Sequence, residues 1–217
     1  MSMNFELARA AMVEQQVRPW EVLDARVLET IAAVPRELFV PEAQQQLAYV
    51  DLPLPLAHGE TMMKPVVEGR LLQALGLEAE DEVLEIGTGS GYITACLARL
   101  AREVVSIDRH ADFLQSAGER LQQRGLRNVR LQLADAFDFQ PNRQFDTIAV
   151  TAAVAKLPEI FSSWLKPGGR MFVICGLSPV QQALRITRRG DSLHSESLFE
   201  TDVPYLRGAE PIAQFTL

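Results

Sequence analysis

An α/β fold, built on a mostly parallel sheet with helices on both faces, is what the order of apolar patterns along the chain predicts. Three observations carry this reading. From residue 66 onward, short apolar runs alternate with stretches of helical periodicity, the signature of repeated strand–helix units. A glycine-rich turn, Gly87 to Gly91, joins the first of those strands to the helix after it. The last two extended stretches are separated only by Gly190-Asp191, a hairpin signal, so the sheet should finish on an antiparallel edge.

Taken in order, residues 5–17 and 24–33 place apolar side chains at helical spacing, and Pro35 ends the second run. Pro35 to Pro65 is irregular and rich in proline, and so long a non-repetitive stretch inside a compact chain points to function. A helix is predicted over 66–75, then a strand over 82–86, the glycine turn, and an apolar helix through residue 100. Residues 103–107 form a second strand closed by Asp108, and 111–124 a second helix. Strands follow at 128–133 and 145–150. A helix over 157–165 ends at Lys166-Pro167-Gly168-Gly169, which reads as a turn before a strand over 170–175. Extended stretches at 182–187 and 192–198 bring the sheet to seven strands. The chain therefore divides into a helical N-terminal region with a substrate-side loop, 1–65, and an α/β part, 66–217, expected to form one compact unit.

With 217 residues, 47% of them hydrophobic, the chain can bury a substantial core. Its net charge of -7 argues against general affinity for nucleic acid or anionic membrane, both of which need basic patches. The two basic runs, 99–102 and 185–189, read as solvated edges. Cys96 and Cys175 are far apart and each lies in an apolar run, so buried free thiols are expected. No export signal or long apolar span is read from the sequence, which makes a reducing cytoplasm the expected location. His58, His110 and His194 are isolated, and no metal is expected. The oligomeric state is left open.

In a doubly wound sheet, ligands bind beyond the carboxyl ends of the strands at the switch point, where the turn after the first strand lies. Glycines there let the backbone approach a ligand, and the next helix presents free amide groups. Spacing decides which ligand. A dinucleotide fingerprint is G-x-G-x-x-G, whereas Gly87, Gly89 and Gly91 give G-x-G-x-G after the acid Glu85. Asp108 ends the second strand, where a carboxylate can take two ribose hydroxyls. Asp135 with Ala136 closes the third strand and Thr151 the fourth, so all converge on one cleft. Singly, Glu85 also reads as an ordinary strand-end acid, and Asp108 and Thr151 as helix caps. A nicotinamide dehydrogenase would want the third glycine one residue later.

The Glu85–Gly91 segment resembles motif I of the S-adenosylmethionine-dependent methyltransferases. Other blocks are more specific: Val34-Pro35-Arg36-Glu37-Leu38-Phe39-Val40-Pro41, Ala48-Tyr49-Val50-Asp51, Leu54-Pro55-Leu56, the strand Phe145 to Val150 with Thr151-Ala152-Ala153, and Leu165-Lys166-Pro167-Gly168-Gly169-Arg170. Together, from about residue 9 to about 206, they resemble the protein-L-isoaspartate O-methyltransferases. The resemblance implies a Rossmann-like class I fold, S-adenosylmethionine as methyl donor with S-adenosylhomocysteine as product, and isoaspartyl protein or peptide as acceptor. It assigns cofactor binding to Glu85, Gly87, Thr88, Gly89, Ser90 and Gly91, then to Asp108, Arg109, Asp135, Ala136 and Thr151. No nucleic-acid and no membrane partner is expected, on the net charge. The Asn-Pro-Pro-Tyr type of motif of many amino-methylating enzymes is absent after the fourth strand, which counts against base or amide methylation.

One departure matters. The family loop reads approximately Gly-Gln-Thr-Ile-Ser-x-Pro, and the family's activity depends on its serine. Here it is Gly59-Glu60-Thr61-Met62-Met63-Lys64-Pro65, with Met63 at the serine and Glu60 at the glutamine. A thioether donates no hydrogen bond, and a glutamate repels an incoming carboxylate. Three readings follow: an isoaspartyl methyltransferase in which Thr61 or Lys64 supplies the lost contact; a related enzyme with a changed acceptor, Met63 lining a more apolar pocket; or a cofactor-binding recognition module without turnover. Met62 and Met63 also read as gap-filling core residues. No residue is assigned as a catalytic acid or base. The family's Gly-Asp-Gly is here Ala134-Asp135-Ala136, which keeps the acid.

Overall fold

The computed structural model describes residues 3–212. The N-terminal part opens with helix α1 (Phe5–Met12), capped by the Asn4 side chain, which accepts from the Leu7 N–H. The expected helix over 5–17 does not stay regular: it widens into a π-turn over Val13–Val17 and then a 3-10 turn over Arg18–Trp20. Pro19 supplies the reason, since it lacks an N–H and its ring crowds the preceding turn. Helix α2 (Ala25–Ala33), capped by Asp24, stops before Val34-Pro35 as predicted.

The stretch from Pro35 to Pro65 holds 3-10 turns and a small antiparallel ribbon, β1 (Leu54–Pro55) with β2 (Thr61–Met62), absent from the expected elements. Helix α3 (Pro65–Leu75) begins with proline in its first turn and ends at Gly76, whose φ of 51° suits a left-handed cap. Then come β3 (Glu82–Ile86), α4 (Tyr92–Leu100), β4 (Glu103–Asp108), α5 (Ala111–Gln123) and β5 (Val129–Leu133). The chain ends with β6 (Phe145–Val154), α6 (Glu159–Ser163), β7 (Leu165–Leu177), β8 (Val180–Arg189) and β9 (Ser192–Thr201).

Two expectations need correction here. The helix over 157–165 is a single short helix, α6, and Lys166–Gly169 is no turn outside the sheet. It lies within β7 as an irregularity: Phe145 pairs with Leu165, but Thr147 with Arg170. A Cβ on Gly169 would come within 2.9–3.2 Å of three carbonyl oxygens, so backbone packs against backbone there.

The seven strands run in the order β5-β4-β3-β6-β7-β8-β9, parallel from β5 to β7 and antiparallel at β8 and β9. The chain moves outward from β3 through β4 to β5, then returns to β6 on the other side of β3. That reversal puts the switch point at the carboxyl ends of β3 and β6. Alternation along β3 sends Leu84 and Ile86 to one apolar core and Val83 to the other. The N-terminal region is part of this packing: Met12, Val17, Ile31 and Phe39 share a core with Leu71, Tyr92 and Phe172. Among the described residues no helix is long and apolar enough to cross a membrane.

Candidate cofactor and acceptor site

The glycine turn is strapped to the strands on both sides. The Gly87 and Thr88 N–H groups donate to Ile107 O at the end of β4 (2.9 and 3.2 Å). Across the turn, Thr151 Oγ1 lies 2.8 Å from Gly87 O and 3.0 Å from Ile86 O. Thr151 is therefore a strand residue holding the loop, and the alternative reading of it as a helix cap is set aside. Gly87 has φ 98°, and a Cβ there would overlap Thr151 Oγ1. Gly91, at φ 83°, is packed against Ala117 of α5, which a Cβ would approach to 2.8 Å. Ser90 O accepts from Arg120 Nη1 at 3.0 Å, a further tie to α5.

Asp108 ends β4 with a buried side chain whose two oxygens take one backbone N–H each: Oδ2 from Gly89 and Oδ1 from His110, both at 2.9 Å. Helix α5 starts from His110, so Asp108 is not its cap. Each oxygen keeps a lone pair, and the residue lines the cleft, which suits a pair of vicinal hydroxyls. Asp135 accepts from the Phe137 N–H at 3.0 Å and lies 3.9 Å from Arg109 Nη1.

Glu85 is placed differently. It is fully buried on the α4 side of β3 and does not reach the cleft. Its Oε2 accepts from Thr94 and Ser106, each at 2.5 Å, and Thr88 Oγ1 lies 2.6 Å from Ser106 Oγ. Because the one Ser106 hydrogen goes to Glu85, Thr88 donates to Ser106, and the chain fixes the loop from beneath. Glu85 Oε1 is buried with no partner. Burial pushes this carboxyl up to about 8, against the two hydroxyl donors that pull it down.

A cleft of about 230 Å³ opens over these groups. Gly87, Gly89, Asp108, Arg109, Asp135, Ala136 and Thr151 line it, and so do Thr61, Met63 and Lys64 from the N-terminal region. Thr88 and Ser90 border a smaller adjoining cavity with Met62 and Met63; Gly91 lies behind the loop. The β1–β2 hairpin forms the roof, with Leu56 packed over Gly89. Met63 is buried, at 6% exposure, and lines the cavity as well, so its core and pocket readings hold together. Its carbonyl is held by Arg36 Nη2 at 2.6 Å, and the same guanidinium grips Glu68 and Ala48 O.

Sequence reasoning missed two lining groups and one contact beside them. The segment after β9 returns along β6, with the Ala153 N–H donating to Pro204 O and the Leu206 N–H to Ala153 O, and so brings Val203, Pro204 and Arg207 to the cleft. The apolar run Val203-Pro204-Tyr205-Leu206 was the available signal. His110 and Phe113 of α5 form another wall. Finally, His58 and His110 are isolated in sequence but not in the fold: their rings stack with centroids 4.1 Å apart.

A glycine turn whose backbone lines the cleft, and a strand-end carboxylate with free lone pairs, fit a nucleoside with a charged tail. With G-x-G-x-G spacing at this switch point, the chain is a Rossmann-like, S-adenosylmethionine-dependent methyltransferase. Comparison with known proteins gives the family. Residues 8–206 match the protein-L-isoaspartate(D-aspartate) O-methyltransferase (PCMT) family, and the chain belongs to it. A protein-L-isoaspartate O-methyltransferase of Methylorubrum extorquens is 41% identical over 211 residues, covering 94% of this chain and 92% of that one. One from Petrotoga mobilis is 40% identical over 191 residues, covering 87% and 90%. Two solved structures share the fold. A family member from Plasmodium falciparum, in complex with S-adenosyl-L-homocysteine, has a TM-score of 0.78 at 20% identity, covering 95% and 99%. A second protein-L-isoaspartate O-methyltransferase has 0.78 at 25% identity, covering 93% and 66%.

Proposed function

We propose that the chain transfers a methyl group from S-adenosylmethionine to the free carboxylate of isoaspartyl residues in damaged proteins or peptides, in the cytoplasm. One observation carries this reading: a single cleft joins the glycine loop and Asp108 to the hairpin residues Thr61, Met63 and Lys64. Residues 66–217 would supply the donor side and residues 1–65 the acceptor side.

When bound, S-adenosylmethionine supplies an electrophilic methyl on a sulfonium. The protein's part is positioning. Asp108 would hold the two ribose hydroxyls on oxygens already oriented by Gly89 and His110. Gly89, whose missing Cβ would point toward Leu56 in the roof, would let the charged tail pass close to the backbone, and Asp135 with Ala136 would read the base. The acceptor carboxylate is ionised at neutral pH, so no general base is required, and alignment with exclusion of water does most of the work. The roof of Leu56 and Met63 provides that exclusion. Glu60 would repel an incoming carboxylate if left free, but its Oε1 lies 3.4 Å from Arg207 Nε and 3.9 Å from His110 Nε2. Arg207 offsets that charge, and Lys64 adds a second cation on the acceptor side.

Met63 favours a second reading, a changed acceptor. It faces the cleft with a side chain that cannot donate, beside apolar Leu56 and Pro53. The chemical nature of the product shows whether the acceptor is a carboxylate. Incubation with methyl-labelled S-adenosylmethionine and aged, deamidated protein should give label in a methyl ester that mild alkali releases as methanol. Alkali-stable label would contradict carboxylate methylation.

A further inference from the structure

We propose that His58, His110 and Asp112, with Glu60 beside them, form a binding site for a divalent transition-metal ion of the zinc type at the rim of the cleft. His58 stands at the tip of the β1–β2 hairpin, while His110 and Asp112 stand at the start of α5. One ligand atom from each of the three lies within 4.8 Å of the others. His58 Nε2 is 2.9 and 3.0 Å from the two Asp112 oxygens. His110 Nε2 is shielded from solvent, has no hydrogen-bond partner, and lies 3.9 Å from Glu60 Oε1. Two imidazoles and two carboxylates make the donor set of Zn²⁺, Co²⁺ or Ni²⁺; Mg²⁺ and Ca²⁺ want oxygen alone.

The present arrangement is open. Tetrahedral bonds of about 2.0–2.2 Å place ligand atoms roughly 3.3 Å apart, so the cluster must contract by about 1.5 Å. The stacked rings are parallel, and one imidazole must swing for the two lone pairs to converge. His58 and Asp112 have the freedom to do this, with side chains 40% and 58% exposed. His58 also holds φ 58° and ψ 14°, a left-handed conformation that costs a non-glycine residue about 1–2 kcal/mol. That conformation projects its ring against His110, and Phe113 stands edge-on to both rings at 5.4 Å. His58 and Gly59 are the two central residues of the hairpin turn, which the Glu60 N–H closes onto Ala57 O at 3.0 Å, and a turn of this hand needs a positive φ at both, so the turn sets where the His58 ring stands.

A bound ion would tie the hairpin roof to α5 two residues beyond Asp108, whose Oδ1 already takes the His110 N–H. The proposal is independent of the methyl-transfer reading, because binding is measured on the protein alone. Calorimetric titration of the chelator-stripped, untagged protein with Zn²⁺ should show one saturable site of low-micromolar or tighter affinity. Co²⁺ should give the visible absorption of a four-coordinate nitrogen and oxygen site. His58→Ala and His110→Ala should each weaken Zn²⁺ by about tenfold or more, with metal-free melting curves unchanged. His194→Ala, on β9, should leave binding as it was. No saturable binding, or equal binding in His110→Ala, would mean the cluster is a hydrogen-bonded clasp only and would overturn the proposal.

Discussion

Replacing Arg36 with methionine should release the acceptor loop and destabilise the fold together. Arg36 is fully buried and makes a two-pronged contact with Glu68, Nε to Oε2 at 2.9 Å and Nη2 to Oε1 at 3.1 Å. It also donates to Ala48 O at 2.9 Å and Met63 O at 2.6 Å, over the face of Tyr92. Removing one partner of a buried ion pair costs about 3–5 kcal/mol, because the other charge is left without compensation. The two freed carbonyls add roughly 1–3 kcal/mol each, less whatever contact a water or the methionine restores. Against a typical total stability of about 5–15 kcal/mol, the variant should be marginal. Burial pushes the Glu68 carboxyl up and Arg36 pulls it back. Without Arg36 its folded pKa rises further above the unfolded value. That contribution is present below the unfolded pKa and lost as pH rises, so the variant should be weaker in alkali than in mild acid. Adding Glu68→Met removes the stranded charge, and the double variant should recover about 2 kcal/mol or more of the single variant's loss. Urea unfolding of the three proteins at two pH values measures this. A single variant within about 1 kcal/mol of the parent, or a double variant less stable than the single, would refute the reasoning.

Three further outcomes follow from the site. Asp108→Ala removes both oxygens that would bond the ribose and should weaken S-adenosylmethionine at least about tenfold by calorimetry, at about 1.5–3 kcal/mol per hydrogen bond to a charge; unchanged affinity would sink the assignment. Glu85 is raised to about 8, so its contribution to stability is full below the unfolded value and lost as pH climbs through about 8. Glu85→Gln, which cannot ionise, should therefore gain on the parent in melting temperature between about pH 6 and pH 9, and a constant difference would contradict the buried, protonated acid. Met63→Ser should raise the rate of methyl transfer to an isoaspartyl peptide; no gain would show that more of the pocket than this one side chain has changed.

The central strands were legible because both of their faces are buried. Val83-Leu84 and Ile86 in β3, and Val104-Val105 and Ile107 in β4, are interrupted only by the buried Glu85 and Ser106, and the expected ends of both strands fall within a residue of those observed. Asp108 was legible for a related reason: a carboxylate ending an apolar strand stands out, although the two N–H groups that orient it are set by the fold. Lys166–Gly169 misled because proline and glycine signal turns locally, and only the neighbouring carbonyls of β6 show why a glycine sits inside a strand. The β1–β2 ribbon, with two residues per strand, is too short for a period to register. Contacts formed by distant segments left no local trace, among them His58 on His110, Arg207 on Glu60, and Arg36 holding Met63. Glu85 was legible as important, but its place beneath the loop came only from which face of β3 it occupies.

Whether isoaspartyl carboxylate is the acceptor, with Met63 where the family carries serine, is tested most directly by a matched pair of peptides. The two share one sequence and differ only in an isoaspartyl or a normal aspartyl linkage, and each is incubated with the unmodified protein and labelled S-adenosylmethionine. Methyl transfer to the isoaspartyl peptide and not to its aspartyl twin is the predicted result. Transfer to neither, with S-adenosylmethionine demonstrably bound, would contradict it and move the acceptor elsewhere.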